Sequence, residues 1–129
     1  VMDWHIAPDA PIYAQLAKQI RLGIVSGEYV PGERLPPVRE LALSAGVNPN
    51  TMQRALTELE REGMVFPQRT AGRFVTEDAA LIAAARETLA REQTAGYLSA
   101  MRALGCGIAE IRGLIDELTE EKEEKDAEF

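Results

Sequence analysis

The chain of 129 residues has 46% hydrophobic and 27% charged side chains and a net charge of −7, which suits one small domain with an appendage. One cysteine excludes a disulfide framework within the chain, one histidine leaves no evident metal cluster, and no apolar run reaches the roughly 20 residues of a membrane span. We therefore expect a cytoplasmic protein with no metal, no cofactor and no membrane association.

The acidic excess is confined to the C-terminal part of the chain. Residues 1–76 carry eight basic and eight acidic side chains, whereas residues 77–129 carry six basic and 13 acidic ones. Any affinity of the first part for a polyanion must therefore come from the local placement of its arginines. Such binding should depend strongly on salt.

The first 27 residues predict an arm and a support helix. Residues 1–10 form the arm, in which Trp4 is expected to pack against the domain. A helix then follows Pro11, a residue favoured in a first helical turn, and ends at Gly27. Its apolar stripe consists of Ile12, Leu16, Ile20 and Ile24.

Two short amphipathic segments follow, at residues 38–45 and 51–62. Apolar residues recur at i, i+3, i+4 and i+7 in the first segment (Val38, Leu41, Ala42, Ala45) and in the second (Met52, Ala55, Leu56, Leu59). Between them Gly46 can end a helix in the left-handed region, Val47 can enter the core, and Asn48 or Asn50 can cap the next helix. The segments therefore predict a helix-turn-helix.

The polar face of the second segment suggests a binding surface. At about 100° per residue, Asn50, Arg54, Thr57 and Arg61 point directly away from the apolar stripe, with Thr51 and Gln53 beside them. Hydrogen-bonding side chains at a helix N-terminus suit base edges and phosphates. A solvated surface without function would look similar when this helix is taken alone.

The next segment predicts a β-hairpin. Residues 64–66 and 73–76 are strand-like, and the six residues between them end in Gly72, which suits a corner with positive φ. A hairpin directly after such a helix is a wing. Arg69 and Arg73 near its tip could approach a phosphate or a minor groove together with the backbone of Gly72.

Residues 8–76 contain several linked motifs: PIYAQL at residues 11–16, PGERLP at 31–36, VRELA at 38–42, GVNPNT at 46–51, AL, LE and EG between 55 and 63, and GRFV at 72–75. Together and in this order they resemble the GntR family of bacterial transcription regulators. The PIY start of the first motif and the NPNT turn of the fourth are similar to the short YtrA-like branch of that family. The resemblance implies a winged helix-turn-helix that binds operator DNA.

The resemblance also implies roles for two arginines. The family's counterpart of Arg39 reads a base, and that of Arg34 sits by the phosphates; an ion pair of Arg39 with Glu40 or Glu60 is the alternative. Two departures from the family pattern weaken expected contacts. Pro37 replaces a serine that could hold a phosphate, and the wing sequence RTAGR at residues 69–73 lacks one glycine and moves a basic group to Arg73.

The C-terminal part predicts two helices, broken by Gly105-Cys106-Gly107, and an acidic, frayed tail at residues 120–129. Cys106 is interpreted as a turn residue rather than a redox sensor. Two helices cannot enclose a ligand pocket, but they can pair with a second copy of the chain. The expected dimer interface consists of Leu89, Met101, Ile108, Ile111, Ile115 and Leu118, the last four with heptad spacing.

These observations predict a mainly α fold (α+β): a winged helix-turn-helix over residues 1–76 and a two-helix dimerisation region over residues 77–129. We expect a dimeric repressor of its own operon on a near-palindromic operator; in the short branch such operons often encode transporters. The alternative is a protein-interaction module that docks through the acidic C-terminus. An enzyme finds no support, and no small-molecule effector is identified. The predicted DNA-binding residues are Arg34, Arg39, Asn48, Asn50, Thr51, Gln53, Arg54, Arg69, Gly72 and Arg73.

Overall fold

The computed structural model describes the backbone of residues 2–127 and the side chains of residues 2–120. Its elements are α1 Ile12–Val25, α2 Val38–Ala45, α3 Pro49–Arg61, β1 Val65–Gln68, β2 Gly72–Val75, α4 Ala79–Ala103 and α5 Ile108–Ala127. The chain divides into two compact units, Val1–Leu89 and Ala90–Phe129. This mainly α architecture with a small sheet confirms the predicted fold class.

The core of the first unit joins α1, α2 and α3. Leu16, Ile20 and Ile24 of α1 are buried, as are all four stripe residues predicted for α3. Ile12 is an exception to the predicted α1 stripe: it is exposed, because the first turn of α1 lies beside an open cleft rather than on the core. The predicted helix-turn-helix is confirmed, and its core packing fixes which face of α3 is left outside.

The turn between α2 and α3 is built as the sequence predicts. Gly46 ends α2 in the left-handed region with φ +70°, and Val47 is half-buried against the core. Of the two asparagines that could cap α3, the structure selects Asn48, whose side-chain oxygen accepts a hydrogen bond of 2.8 Å from the N–H of Asn50. Pro49 then occupies the first turn, where a missing N–H costs nothing.

The wing is longer and its turn tighter than predicted. β1 and β2 pair antiparallel from Val65↔Val75 to Gln68↔Gly72, so only residues 69–71 form the turn. Gly72 has φ +91°, which confirms the predicted positive-φ corner. The strand prediction stopped at residue 66 because Pro67 weakens a strand pattern, but β1 lies at the edge of the sheet, where proline is tolerated.

A third segment, residues 32–35, lies along the other edge of β2. The N–H of Leu35 donates to the C=O of Arg73 at 2.9 Å, and the N–H of Val75 donates to the C=O of Glu33 at 2.8 Å. This pairing was not predicted, because so short a segment has no periodicity in the sequence. It ties the loop before α2 to the wing.

The N-terminal arm lies along α1. The side-chain amide of Gln15 bonds both the N–H and the C=O of Ala7, at 2.7 and 2.8 Å, and Gln19 bonds the same two groups of His5. Trp4 packs partly buried against the core, which confirms its interpretation as a packing residue. Two glutamines one turn apart on α1 therefore hold the backbone of the arm by hydrogen bonds.

The C-terminal helices α4 and α5 are separated by the predicted glycine break, where Gly105 has φ +88°. Asp78 caps α4 by accepting hydrogen bonds from the N–H groups of Ala80 and Leu81. The backbone of the acidic tail, predicted as frayed, is helical to Ala127, and the remainder of that tail lies outside the described residues. The predicted domain boundary after residue 76 stays a prediction; the two compact units meet within α4.

Candidate nucleic-acid interface

The outward face of α3 has the composition that the sequence analysis expected. Asn50, Gln53, Arg54, Thr57 and Arg61 are exposed, and Thr51 is half-buried. The hydroxyl of Thr57 donates to the backbone carbonyl oxygen of Gln53 at 2.9 Å, and Arg61 pairs with Glu58, one turn earlier, at 2.8 Å. The groups left for a partner therefore concentrate in the first two turns of the helix, at its N-terminal end.

Arg54 has a partner that sequence reasoning did not find. Its guanidinium carbon lies 3.7 Å above the ring centre of Tyr13, in the first turn of α1. The two side chains belong to an open cleft of about 590 Å³, whose lining consists of Pro11, Ile12, Tyr13, Asn50, Thr51 and Arg54. The PIY motif of the sequence could have pointed to this contact, because it starts the helix that crosses α3.

Arg39, at the start of α2, is exposed, and no ion pair within residues 2–120 involves it. The alternative interpretation of Arg39 was an ion pair with Glu40 or Glu60. Glu60 instead holds Arg73, so that alternative is not realised. Pro37 caps α2 without a side-chain hydrogen bond, as expected where a serine hydroxyl is absent. Because no described residue forms an ion pair with Arg39, its guanidinium is available to a polyanion.

The two arginines of the wing differ in their surroundings. Arg69 lies exposed in the turn of the hairpin, whereas Arg73 lies one residue inside the strand, opposite Pro67. The Nε of Arg73 donates to a carboxylate oxygen of Glu60 at 2.5 Å, and only 18% of its side chain is exposed. The wing is thereby fastened to α3. Both arginines were predicted near the tip of the wing, and only Arg69 lies there.

Arg34 lies against the wing at Gly72. A Cβ atom added to Gly72 would lie 3.2 Å from the Nε of Arg34, which is closer than about nine in ten such contacts. The positive φ therefore favours glycine here, and any larger residue would also require Arg34 to shift slightly. Arg34, in the loop before α2, therefore lies at the same hairpin whose turn contains Arg69.

The predicted dimer positions fall into two groups. Ile108, Ile115 and Leu118 of α5 are exposed, with Leu118 at 63%. Leu89 and Ile111 are buried within a single chain, at 6% and 1% exposure, and Met101 is half-buried. The apolar surface still available to a second copy is therefore carried by α5 more than by α4.

A small cavity of about 150 Å³ lies at the N-terminal arm, lined by Met2, Trp4, Tyr29, Pro36, Glu40, Leu41 and Ser44. Burial, together with the charges of Glu28 and Glu33, raises the pKa of the Tyr29 hydroxyl above its usual range. The cavity volume falls below the roughly 300 Å³ at which small-molecule pockets begin. Within the described residues no group of three or more potential ligands could hold a metal ion, and no described helix is long and apolar enough to cross a membrane.

Comparison with known proteins shows relatives over nearly the whole chain. The family described as "Bacterial regulatory proteins, gntR family" matches residues 12–75. The regulator YhcF of Bacillus subtilis is 40% identical over 92% of this chain and 98% of its own length, and the transcriptional repressor YtrA of the same organism is 39% identical over 64% of this chain and 65% of its own. A GntR family regulator of Listeria monocytogenes superposes with a TM-score of 0.77 at 35% identity, covering 87% of this chain and 98% of that structure.

The family match covers the elements that form the candidate site. The family match spans α1 to the end of the wing, which are the elements that position Arg39, Arg54 and Arg69. The family and these relatives are transcription regulators, which are not enzymes, and the similarity to YhcF covers the C-terminal helices as well. The chain therefore belongs to the gntR family of bacterial regulatory proteins and resembles the short regulators YhcF and YtrA within it.

Proposed function

We propose that this protein is a dimeric repressor that binds a near-palindromic DNA operator in the cytoplasm and controls its own operon, which would encode a transporter. The observation that carries the proposal is the exposed polar face at the start of α3, together with Arg39 at the start of α2, which is exposed and forms no ion pair within residues 2–120. A helix N-terminus with its dipole, amide and guanidinium donors is suited to the major groove and to the phosphates beside it.

In this proposal the site residues have three roles. Arg39 and Arg54 bond base edges, with Asn50, Thr51 and Gln53 around them. Asn48 caps α3 and holds its N-terminus in place. The wing contributes phosphate contacts through Arg34 and Arg69 and through the backbone of Gly72. Arg73 contributes through its terminal nitrogens, since no described residue bonds them while Nε is held by Glu60.

Dimerisation follows from the size and charge of the first unit. A single winged domain with no net charge in residues 1–76 buries too little DNA surface for a specific complex at physiological salt. Two half-sites on one dimer gain from a high effective concentration. The exposed residues Ile108, Ile115 and Leu118 supply the surface for a two-fold interface, and the half-sites would be about 10 bp apart or at a related spacing.

An electrophoretic shift on the DNA upstream of its own gene tests the proposal. With excess nonspecific competitor, the wild-type protein should form a discrete complex of one dimer per site, and this complex should weaken steeply as salt rises. A shift that competitor DNA of any sequence abolishes equally would refute specific operator binding. In that case the acidic C-terminal helices would become the first place to look for a protein partner.

A further inference from the structure

The contact between Tyr13 and Arg54 joins two elements with different tasks in the proposed function. Tyr13 belongs to the support helix α1, whereas Arg54 lies in the second turn of α3, on its outward face. The distance of 3.7 Å from guanidinium carbon to ring centre is that of a close cation–π contact. Within residues 2–120 neither an ion pair nor a side-chain hydrogen bond of Arg54 competes with it.

Stacking leaves the hydrogen-bonding capacity of Arg54 intact. The five N–H donors of a guanidinium lie in its plane and point outward from its edge, so a ring against one face blocks none of them. The ring reduces the conformational entropy of the side chain in the free protein. An unrestrained arginine loses many rotamers when it binds a partner, whereas an arginine already stacked on a ring loses fewer, so its binding costs less entropy. The free protein thus already holds Arg54 in a restricted orientation.

The surface around this pair is open. Arg54 and Tyr13 line the cleft of about 590 Å³ together with Asn50 and Thr51, which are two of the proposed DNA contacts. A nucleic acid strand that reaches Asn50 and Thr51 therefore also comes close to Arg54. The ring of Tyr13 covers one face of the Arg54 guanidinium.

We propose that Tyr13 is a specificity-determining residue that acts through Arg54. Its ring holds the guanidinium in the orientation from which two N–H groups bond O6 and N7 of one guanine in each half-site, the pairing that best distinguishes guanine from the other bases. Tyr13 is a positioning residue, and Arg54 makes the base contact. This inference rests on the proposed function, because it needs an operator to be read.

The test uses the full-length protein and its selected operator, together with versions of that operator changed at one base pair at a time. Tyr13→Leu removes the ring while keeping apolar bulk, and should weaken binding by roughly threefold to tenfold per half-site. It should lose discrimination at the same base pair at which Arg54→Ala loses it. Tyr13→Phe keeps the ring and should retain both affinity and preference.

A double-mutant comparison separates positioning from mere folding. Combined with Arg54→Ala, Tyr13→Leu should cost no further affinity, because the residue it positions is gone. An equal loss from Tyr13→Leu with and without Arg54 would overturn the proposal, as would unchanged base preference in Tyr13→Leu. Tyr13→Met replaces Tyr13→Leu if the latter lowers the thermal midpoint, since Met also lacks the ring and adapts to irregular packing.

Different results would refute operator binding and the role of Tyr13. A wild-type protein that selects no operator would refute the proposed function, and with it the role of Tyr13. A wild-type protein that selects an operator, combined with a Tyr13→Leu variant that discriminates equally well, would overturn the role of Tyr13 alone.

Discussion

Replacing Gly72 by alanine should separate the stability of the wing from its contribution to DNA binding. Forcing an alanine to φ +91° costs about 1–2 kcal/mol of folding free energy, which is several degrees in thermal midpoint for a protein of this size. The new Cβ would also lie 3.2 Å from the Nε of Arg34, so that side chain would have to shift by a few tenths of an ångström. The shifted Arg34 should hold its phosphate less well in each half-site, and the plot of log K against log salt should become less steep by up to about 2.

Gly27→Ala is the matched control for this variant. Gly27 has nearly the same φ, +86°, but a Cβ there would have nothing within 4 Å. Both variants should therefore lose similar stability in thermal unfolding, while only Gly72→Ala loses DNA affinity and salt dependence in a fluorescence anisotropy titration. Equal DNA affinity and equal salt slopes for the two variants would refute the role assigned to Arg34 beside the wing.

Three further variants test other parts of the account. Arg39→Ala should weaken operator binding by about 1–3 kcal/mol and relax one base preference in a competition assay. The control is Arg21→Ala on the support helix, where Arg21 pairs with Glu62, and it should leave base preference unchanged. Equal effects of the two substitutions on base preference would contradict the assigned docking. Glu60→Gln should loosen the wing and increase its amide hydrogen exchange, and an unchanged exchange rate would show that its pair with Arg73 does not fasten the wing. Ile115→Asp should shift the protein to a monomer in light scattering, and a variant that stays dimeric would exclude α5 from the interface.

The helices and the central turn were predictable because their signals are local. The 3,4 spacing of apolar residues in α2 and α3 depends only on burying one helical face, and Gly46 and Asn48 carry the chemistry of a helix end and a helix start. The outward face of α3 followed from the same geometry. These parts needed no knowledge of distant contacts.

The parts that were missed depend on contacts between distant segments. The stacking of Arg54 on Tyr13 joins residues 41 positions apart, and the pairing of residues 32–35 with β2 follows from tertiary packing, which leaves no period in the sequence. The apolar spacing that suggested a dimer seam has a different weakness. Ile111 fits it but is buried within one chain, as is Leu89, an apolar position of α4 that was also assigned to the interface. An apolar position alone cannot tell burial against the same chain from burial against a second one.

Selection of random double-stranded DNA by the purified full-length protein tests the central claim most directly. We expect enrichment of one sequence made of two inverted half-sites, with a guanine in each half-site whose preference is lost in Arg54→Ala. Recovery of no common sequence after repeated rounds at physiological salt would contradict the claim that the face of α3 reads DNA.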